Sequence, residues 1–156
     1  MFREVNGFQV PADEIDRTVN RRFKADGQIS QAVKFCKEKR VAVQAGGNWG
    51  YWPLRLSKQF ATVYTFEPGP VAFACLAMNT AKQTNLIRMQ AALGDVNGTV
   101  GIVERPGASG HTRVDGSGMV PVLRLDNLEL EVCDLIYLDV EGYECRALHG
   151  AQRTVM

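Results

Sequence analysis

Short apolar runs that alternate with helix-like segments constrain the fold of this chain more than any other feature of its sequence. Three such runs, VAVQA, VYTFE and LIRMQAAL, occupy residues 41–45, 63–67 and 86–93. The segments between them, 51–59 and 68–80, have helical character, and the second is rich in alanine. Strands that alternate with helices predict βαβ crossovers, and therefore an α/β fold with a parallel sheet.

The pattern changes after Gly94. TVGIVE at 99–104 and MVPVLRL at 119–125 predict an antiparallel pair, whereas the glycine-rich stretch between them is too polar for a core and predicts a loop. LIYLDV at 135–140 predicts a fourth core strand, and we expect helix from Tyr143 onward. The expected sheet therefore has the strand order 3-2-1-4, with an antiparallel hairpin inserted before the fourth strand.

The first 26 residues are predicted to form a separate N-terminal part, residues 1–26. FREVNGFQVP predicts two short strands around Asn6-Gly7, a dipeptide that suits the positive φ angles of a type I′ turn. Residues 13–26 are polar, with the basic stretch RTVNRRFK, and predict a solvated connecting segment. A helix with apolar residues at helical spacing then begins the main domain, residues 27–156.

Composition and charge exclude several classes of function. A net charge of +1 gives no electrostatic basis for binding nucleic acid or an anionic membrane. No apolar run approaches the roughly 18 residues of a membrane span, and the N-terminus lacks signal-peptide character. The spacings of the four cysteines match no zinc or redox motif, so we expect reduced thiols and a cytoplasmic protein.

The turn after the first core strand carries the first sign of a ligand. Gly46, Gly47 and Gly50 occupy this turn, and glycine lets the backbone approach a ligand closely beside the N–H groups of the next helix. Glu67 ends the next strand, where a carboxylate can accept hydrogen bonds from both hydroxyls of a ribose. Together these residues favour an adenosine-type ligand over a tight turn without a ligand. They do not separate a nicotinamide dinucleotide from S-adenosylmethionine.

A second group of candidates follows the fourth core strand. Asp139 and Glu141 lie at its carboxyl end, which is the end at which open α/β sheets bind ligands. Two carboxylates there could hold a cationic ligand, orient a hydroxyl for proton removal or bind a metal. A structural alternative makes Asp139 a helix cap and places Gly142 in a tight turn.

The chain resembles the FkbM-like family of S-adenosylmethionine-dependent methyltransferases in four ordered motifs: QAGGNWGYW, YTFEPGP, AALGD and DLIYLDVEGYECRALHGA. The likeness covers about residues 41–151 and is weakest between 98 and 120. It implies a Rossmann-like class I methyltransferase fold, with S-adenosylmethionine as the cofactor.

The resemblance implies a role for each matched position. The residues that would cradle the methionine and sugar parts of the cofactor are Gly46, Gly47, Asn48 and Gly50. Glu67, which Pro68 follows in the FEP motif, would hold the ribose hydroxyls. The residues that would wall the adenine are Ala92, Leu93, Gly94 and Asp95. Asp139 and Glu141 would face the side of methyl transfer, Asp139 also as a cofactor contact.

Two features depart from the family pattern. Gln44 stands where the family usually has an acidic residue, and the neutral amide would lose a charge-assisted contact to the cofactor, worth about 1.5–3 kcal/mol. The sequence also stops soon after DVEG, so we interpret the fold as C-terminally short. An unpaired apolar edge invites association. We therefore expect the N-terminal hairpin or a second chain, as in a homodimer, to cover the fourth core strand.

Two further sets of residues have a functional and a structural interpretation. His111, in the glycine-rich loop, is a candidate mobile general base, or else an exposed loop histidine. Trp49, Tyr51 and Trp52 could pack over the cofactor or line an acceptor slot, or else could pack in the core. The predicted function is methyl transfer from S-adenosylmethionine to an oxygen or nitrogen of a small molecule or sugar. The alternatives are a non-catalytic or truncated cofactor-binding module and a NAD-dependent oxidoreductase.

Overall fold

A four-stranded parallel sheet forms the centre of the fold in this computed structural model, which describes residues 2–15, 19–20, 26–105, 108–114 and 116–156. The strands, in chain order, are β1 (Phe2–Val5), β2 (Phe8–Pro11), β3 (Val41–Ala45), β4 (Thr62–Phe66), β5 (Leu86–Met89), β6 (Ala92–Leu93), β7 (Gly98–Val100), β8 (Ile102–Arg105), β9 (Ala108–Val114), β10 (Val120–Leu123) and β11 (Leu135–Leu138). The helices are α1 (Asp26–Phe35), α2 (Tyr51–Ser57), α3 (Pro70–Asn79) and α4 (Glu144–His149).

The central sheet has the order β11-β3-β4-β5, and each neighbouring pair is parallel. Successive residues of a strand point to opposite faces, so β3 contributes Ala42 to one apolar cluster and Val43 to the other. The first cluster includes Ile29 of α1 and Leu56 of α2, and the second includes Ala147 of α4. Helices therefore cover both faces of a parallel sheet, which confirms the predicted α/β class.

The third core strand is shorter than predicted. The sequence predicted one strand over 86–93, but β5 ends at Met89 and β6 joins a separate sheet, where it runs parallel to β10. The reason lies in the partner strand: β4 ends at Phe66, and Glu67 N–H donates the next hydrogen bond to the carbonyl of Met89 at 3.1 Å. Beyond that point β4 offers no further strand partner.

The inserted region contains more strand than the sequence indicated. β7 and β10 form the predicted antiparallel pair, with Val100 opposite Val120. Glu104, however, belongs to β8, which pairs antiparallel with β9 in a sheet of its own. The prediction of a loop is therefore wrong over residues 108–114. High polarity excluded this stretch from the core, but a two-stranded sheet outside the central one needs no buried face.

The N-terminal hairpin forms as predicted. β1 and β2 pair antiparallel around Asn6 and Gly7, whose φ angles are 51° and 80°. The hairpin docks on α3, because the side chain of Asn79 accepts from Gln9 N–H and donates to its carbonyl, both at 2.7 Å. The prediction that this hairpin covers the edge of the fourth core strand is wrong, since β11 pairs only with β3 among the described strands.

The C-terminal helix is shorter than expected. It ends at His149, and a Cβ atom on Gly150 would lie 1.9 Å from the carbonyl oxygen of Gly94, so the chain passes too close to Gly94 for any side chain. The predicted basic connecting segment, RTVNRRFK, falls largely outside the described residues. The longest described helices have ten residues, and none of them is long and apolar enough to cross a bilayer.

Candidate functional site

The glycine turn after β3 brings three strand ends together. Gly46 and Gly47 both donate their N–H groups to the carbonyl of Phe66, at 3.0 and 2.9 Å. Gly46 has a φ of 85°, and a Cβ atom there would lie 2.0 Å from the carbonyl oxygen of Asp139. A Cβ on Gly47 would lie 2.5 Å from Leu76. The protein's own backbone therefore requires glycine at position 46, whatever ligand the turn accepts, whereas side chains crowd position 47.

Glu67 ties this turn to the next loop. Its side chain is buried, with an exposed fraction of 3%. One carboxylate oxygen accepts the N–H of Asn48 at 2.6 Å, and the other accepts the N–H of Gly69 at 2.8 Å. The residue predicted to hold a ribose thus already holds two backbone amides.

The aromatic residues of the turn belong to the core. Trp49, Tyr51 and Trp52 are all less than 5% exposed. Trp49 and Tyr51 pack 5.7 Å apart between ring centroids, and Phe8 of the hairpin lies 5.4 Å from Trp49. Of the two interpretations of these residues, core packing is therefore confirmed. The cluster fixes the start of α2 and hence the shape of the turn.

Gln44 is fully buried between neighbouring strands. Its side-chain oxygen accepts the hydroxyl of Thr65 at 2.6 Å, and its amide nitrogen donates to the carbonyl of Ala45 at 3.0 Å. The side chain that replaces the family's usual acid is thus bonded within the sheet. These two bonds use one of the two acceptor positions of the amide oxygen and one of the two N–H groups of the amide nitrogen.

Asp139 and Glu141 lie exposed at the end of β11. The chain turns sharply there, because Glu141 and Gly142 have φ angles of 49° and 91°. The N-cap of α4 is Tyr143, which contradicts the alternative in which Asp139 caps the helix, whereas the predicted tight turn at Gly142 is confirmed. The backbone of Asp139 lies beside Gly46, and both exposed residues follow β11 at the carboxyl edge of the sheet.

Sequence reasoning missed Glu144, which shapes this loop. A carboxylate oxygen of Glu144 accepts the N–H of Val140 at 3.2 Å. The pKa of Glu144 lies below its ordinary value, mainly because its own backbone N–H donates to the carboxylate. Burial opposes this shift, and the backbone N–H groups of Gly142 and Val140 add to it. The available signal was its place in the first turn of a helix, where carboxylates are favoured.

The segment predicted to wall an adenine lies beside the start of α4. Ala92, Leu93 and Gly94 are buried, and a Cβ atom on Gly94 would lie 3.3 Å from the ring of Tyr143. Asp95 is about one-third exposed and forms an ion pair of 3.6 Å with Arg146. The structure thus places an apolar wall and a carboxylate next to the loop that carries Asp139.

Two predicted site residues remain, His111 and Pro68. The backbone of His111 lies in β9, and its side chain falls outside the described part of the chain. Pro68 is half-buried in the loop between β4 and α3, next to Glu67. The role of His111 as a mobile general base therefore stays a prediction.

A sequence profile of the Methyltransferase FkbM domain matches residues 41–155. No curated protein matches the chain. Among solved structures, TYW2 of M. jannaschii in complex with AdoMet shares 22% identity, with a TM-score of 0.41, over 62% of this chain and 47% of that one. Trm5b of Pyrococcus abyssi shares 19%, with a TM-score of 0.38, over 56% of this chain and 27% of that one. The chain spans less than half the length of both proteins.

Proposed function

Since the chain belongs to the FkbM methyltransferase family, we propose that it transfers a methyl group from S-adenosylmethionine to an oxygen or nitrogen of a small molecule or sugar. One observation carries this proposal: the glycine turn, Glu67 and Asp139 converge at the carboxyl ends of β3, β4 and β11. Open α/β sheets bind nucleotide-like ligands at that edge, at the point where the strand order reverses and the connections from two neighbouring strands lead to opposite sides.

The residues at this edge fit the chemical groups of S-adenosylmethionine. The carboxylate of Glu67 is the kind of group that binds ribose hydroxyls, and Ala92 and Leu93 would give an adenine apolar neighbours. The exposed carboxylates of Asp139 and Glu141 suit a ligand that carries ammonium and sulfonium charges. We assign this binding to the main domain, residues 27–156, with the N-terminal hairpin as a support for Trp49.

The cofactor supplies a methyl group already activated by its sulfonium, so the protein has to align the acceptor and remove its proton. The carboxylates of Asp139 and Glu141 are the described candidates for the proton acceptor, because both are exposed at the ligand edge. His111 remains a further candidate from the inserted region. Alignment contributes through the fixed turn, whose glycines and buried aromatic residues leave it little freedom.

Calorimetry tests the binding part of this proposal. Titrations with S-adenosylmethionine, its demethylated product and NAD should give heat of binding for the first two ligands only. Glu67→Ala should weaken S-adenosylmethionine binding at least about tenfold, while Glu131→Ala, an exposed glutamate outside the site, should not. An unchanged dissociation constant for Glu67→Ala, in a variant that still unfolds cooperatively, would remove Glu67 from the site. Binding of NAD alone would contradict the proposed methyl transfer and favour a NAD-dependent oxidoreductase.

A second candidate function is a non-catalytic cofactor-binding module. The observation that favours it is Gln44, whose amide is buried and bonded to Thr65, so that position supplies no charge to the ligand. Transfer of labelled methyl to a panel of sugars, alcohols and amines separates the two functions. Binding without transfer to any acceptor would favour the module.

We also propose that the edge of β11 opposite β3 pairs with a second copy of the chain. The support is that this strand has one neighbour among the described strands and is half-buried at all four positions. Sedimentation over a range of protein concentrations should show a dimer. A monomer at every concentration would refute this arrangement.

A further inference from the structure

A cleft of about 260 Å³ lies between α1 and the C-terminal half of α2, away from the glycine turn. Four basic side chains line it: Lys34, Lys39, Arg55 and Lys58. Ile29 and Val33, which are 4% and 7% exposed, are also part of its lining. None of the described residues that line the cleft is acidic.

This concentration of charge is local. The whole chain carries a net charge of only +1, so the rest of the chain, without these four cations, is net negative. Four cations around one small cleft repel each other, and a bound anion would relieve that repulsion. The buried Ile29 and Val33 exclude water from one side of the cleft, which strengthens the field that an anion would meet.

One of the cations is held in place. Arg55 donates to the hydroxyl of Tyr51 at 3.0 Å, and its guanidinium carbon lies 5.2 Å from the centre of that ring. Tyr51 is itself buried, with an exposed fraction of 4%. A guanidinium fixed in this way loses less rotamer entropy on binding, and its planar N–H groups match the oxygens of a phosphate.

The ends of the helices explain only part of this arrangement. Lys34 and Arg55 lie in the last turns of α1 and α2, where cations are favoured by the exposed carbonyl groups. Lys39 belongs to neither helix, because it lies in the segment just before β3. Helix-end electrostatics therefore does not account for the meeting of three segments around one cleft.

The cleft and the proposed methyl-transfer site lie at opposite ends of β3. Lys39 precedes the first residue of β3, whereas Gly46 follows its last residue. A strand of five residues spans about 15 Å at roughly 3.3 Å per residue. A ligand in the cleft would therefore not touch the groups at the carboxyl edge of the sheet.

We propose that this cleft binds a small phosphate compound, either a diphosphate or a phosphate ester, that carries two or more negative charges. Lys34, Lys39 and Lys58 supply point charges, and Arg55 supplies the directed N–H groups. The volume suits a compound of that size rather than a larger cofactor. This inference is independent of the proposed methyl transfer.

Calorimetry with inorganic pyrophosphate at physiological ionic strength tests the proposal. We expect binding by the intact protein and a loss of about tenfold or more in affinity in the double variant Lys39→Ala/Lys58→Ala. Lys82→Ala, which removes an exposed lysine outside the cleft, should bind like the intact protein. Thermal unfolding without ligand should be similar in all three proteins, because the substituted side chains are exposed.

Four outcomes would overturn the proposal. The first is no measurable binding of pyrophosphate by the intact protein. The second is an equal loss of affinity in Lys82→Ala, which would indicate a general response to surface charge. The third is competition between pyrophosphate and the demethylated cofactor product, which would place the anion at the carboxyl edge instead. Tighter binding of a short single-stranded RNA, lost in the same double variant, would replace the small ligand by nucleic acid.

Discussion

The carboxylate of Glu67 should stabilise the protein even without a ligand, and Glu67→Gln measures how much. The carboxylate accepts two backbone N–H groups, from Asn48 at 2.6 Å and from Gly69 at 2.8 Å, and is 3% exposed. A glutamine of the same shape keeps one oxygen acceptor. Its amide nitrogen must then face the second N–H, so that two donors oppose each other.

The magnitude follows from the bonds that change. One hydrogen bond to a charged acceptor is lost and its buried N–H is left without an acceptor, which together cost about 1.5–3 kcal/mol, and the opposed amide donor adds to that cost. Neutralising a buried carboxylate recovers part of its desolvation free energy. We therefore expect the free energy of unfolding to fall by about 2–3 kcal/mol.

Urea unfolding of the ligand-free protein is the assay, with Glu131→Gln as the matched control on an exposed loop. The control should change the free energy of unfolding by less than about 0.5 kcal/mol. A change of that small size in Glu67→Gln would refute the reasoning, because it would mean that the two loops hold their positions without the carboxylate. Reduced stability with unchanged cofactor affinity would make Glu67 a structural residue alone.

Three other substitutions test the packing around the site, and a fourth tests the ion pair between Arg40 and Asp134 at the amino end of β3. Gly46→Ala places a Cβ 2.0 Å from the carbonyl oxygen of Asp139 and should prevent cooperative folding. In Gly142→Ala the new Cβ meets no atom within 4 Å, so thermal unfolding should show a loss of stability of only about 1–2 kcal/mol, which comes from the positive φ angle. Thr65→Val removes the hydroxyl group that donates a hydrogen bond to Gln44, and the free energy of unfolding in urea should fall by about 1–3 kcal/mol. An unchanged free energy of unfolding would mean that another donor takes the place of this hydroxyl. The pKa of Asp134 is lowered from 3.8 to about 2, mainly by a hydrogen bond from the side chain of Arg40. Burial opposes this shift, and hydrogen bonds from the backbone N–H groups of Arg40 and Val41 add to it. The folded protein should therefore gain stability from this carboxylate above pH 3.8 and lose it as the pH falls toward 2. Asp134→Asn should flatten that part of the pH–melting curve, and an unchanged curve would contradict the assignment.

The sequence predicted the parallel core because its evidence is local. An apolar run such as 41–45 between helix-like segments has few alternatives to a buried parallel strand, and the Asn6-Gly7 dipeptide has few alternatives to a hairpin turn. The last residues of the run at 86–93 were misassigned because strand length depends on the partner. Only the structure shows that β4 ends at Phe66.

The site was predictable by residue type but not by role. The glycines suggested close approach to a ligand, yet their nearest neighbours are Asp139 and Leu76 of the same chain. From the sequence, the aromatic residues beside the glycines were equally consistent with a pocket and with the core. The hairpin that completes their packing lies some 40 residues earlier in the sequence. Interactions across such separations, like the ion pair between Asp95 and Arg146, leave no periodic signal in a sequence.

The strand order has a consequence for the order of folding. β3 lies inside the sheet only because β11 pairs with it, and the register joins Leu135 to Ala42 across most of the chain. During synthesis from the N-terminus, β3 and β4 can pair early, while the other edge of β3 waits for residues 135–138. At about 5–20 residues per second this delay lasts roughly 5–20 seconds, in which a buried strand of the finished protein is an open edge. Nascent chains should therefore be most prone to aggregate just before the last strand leaves the ribosome.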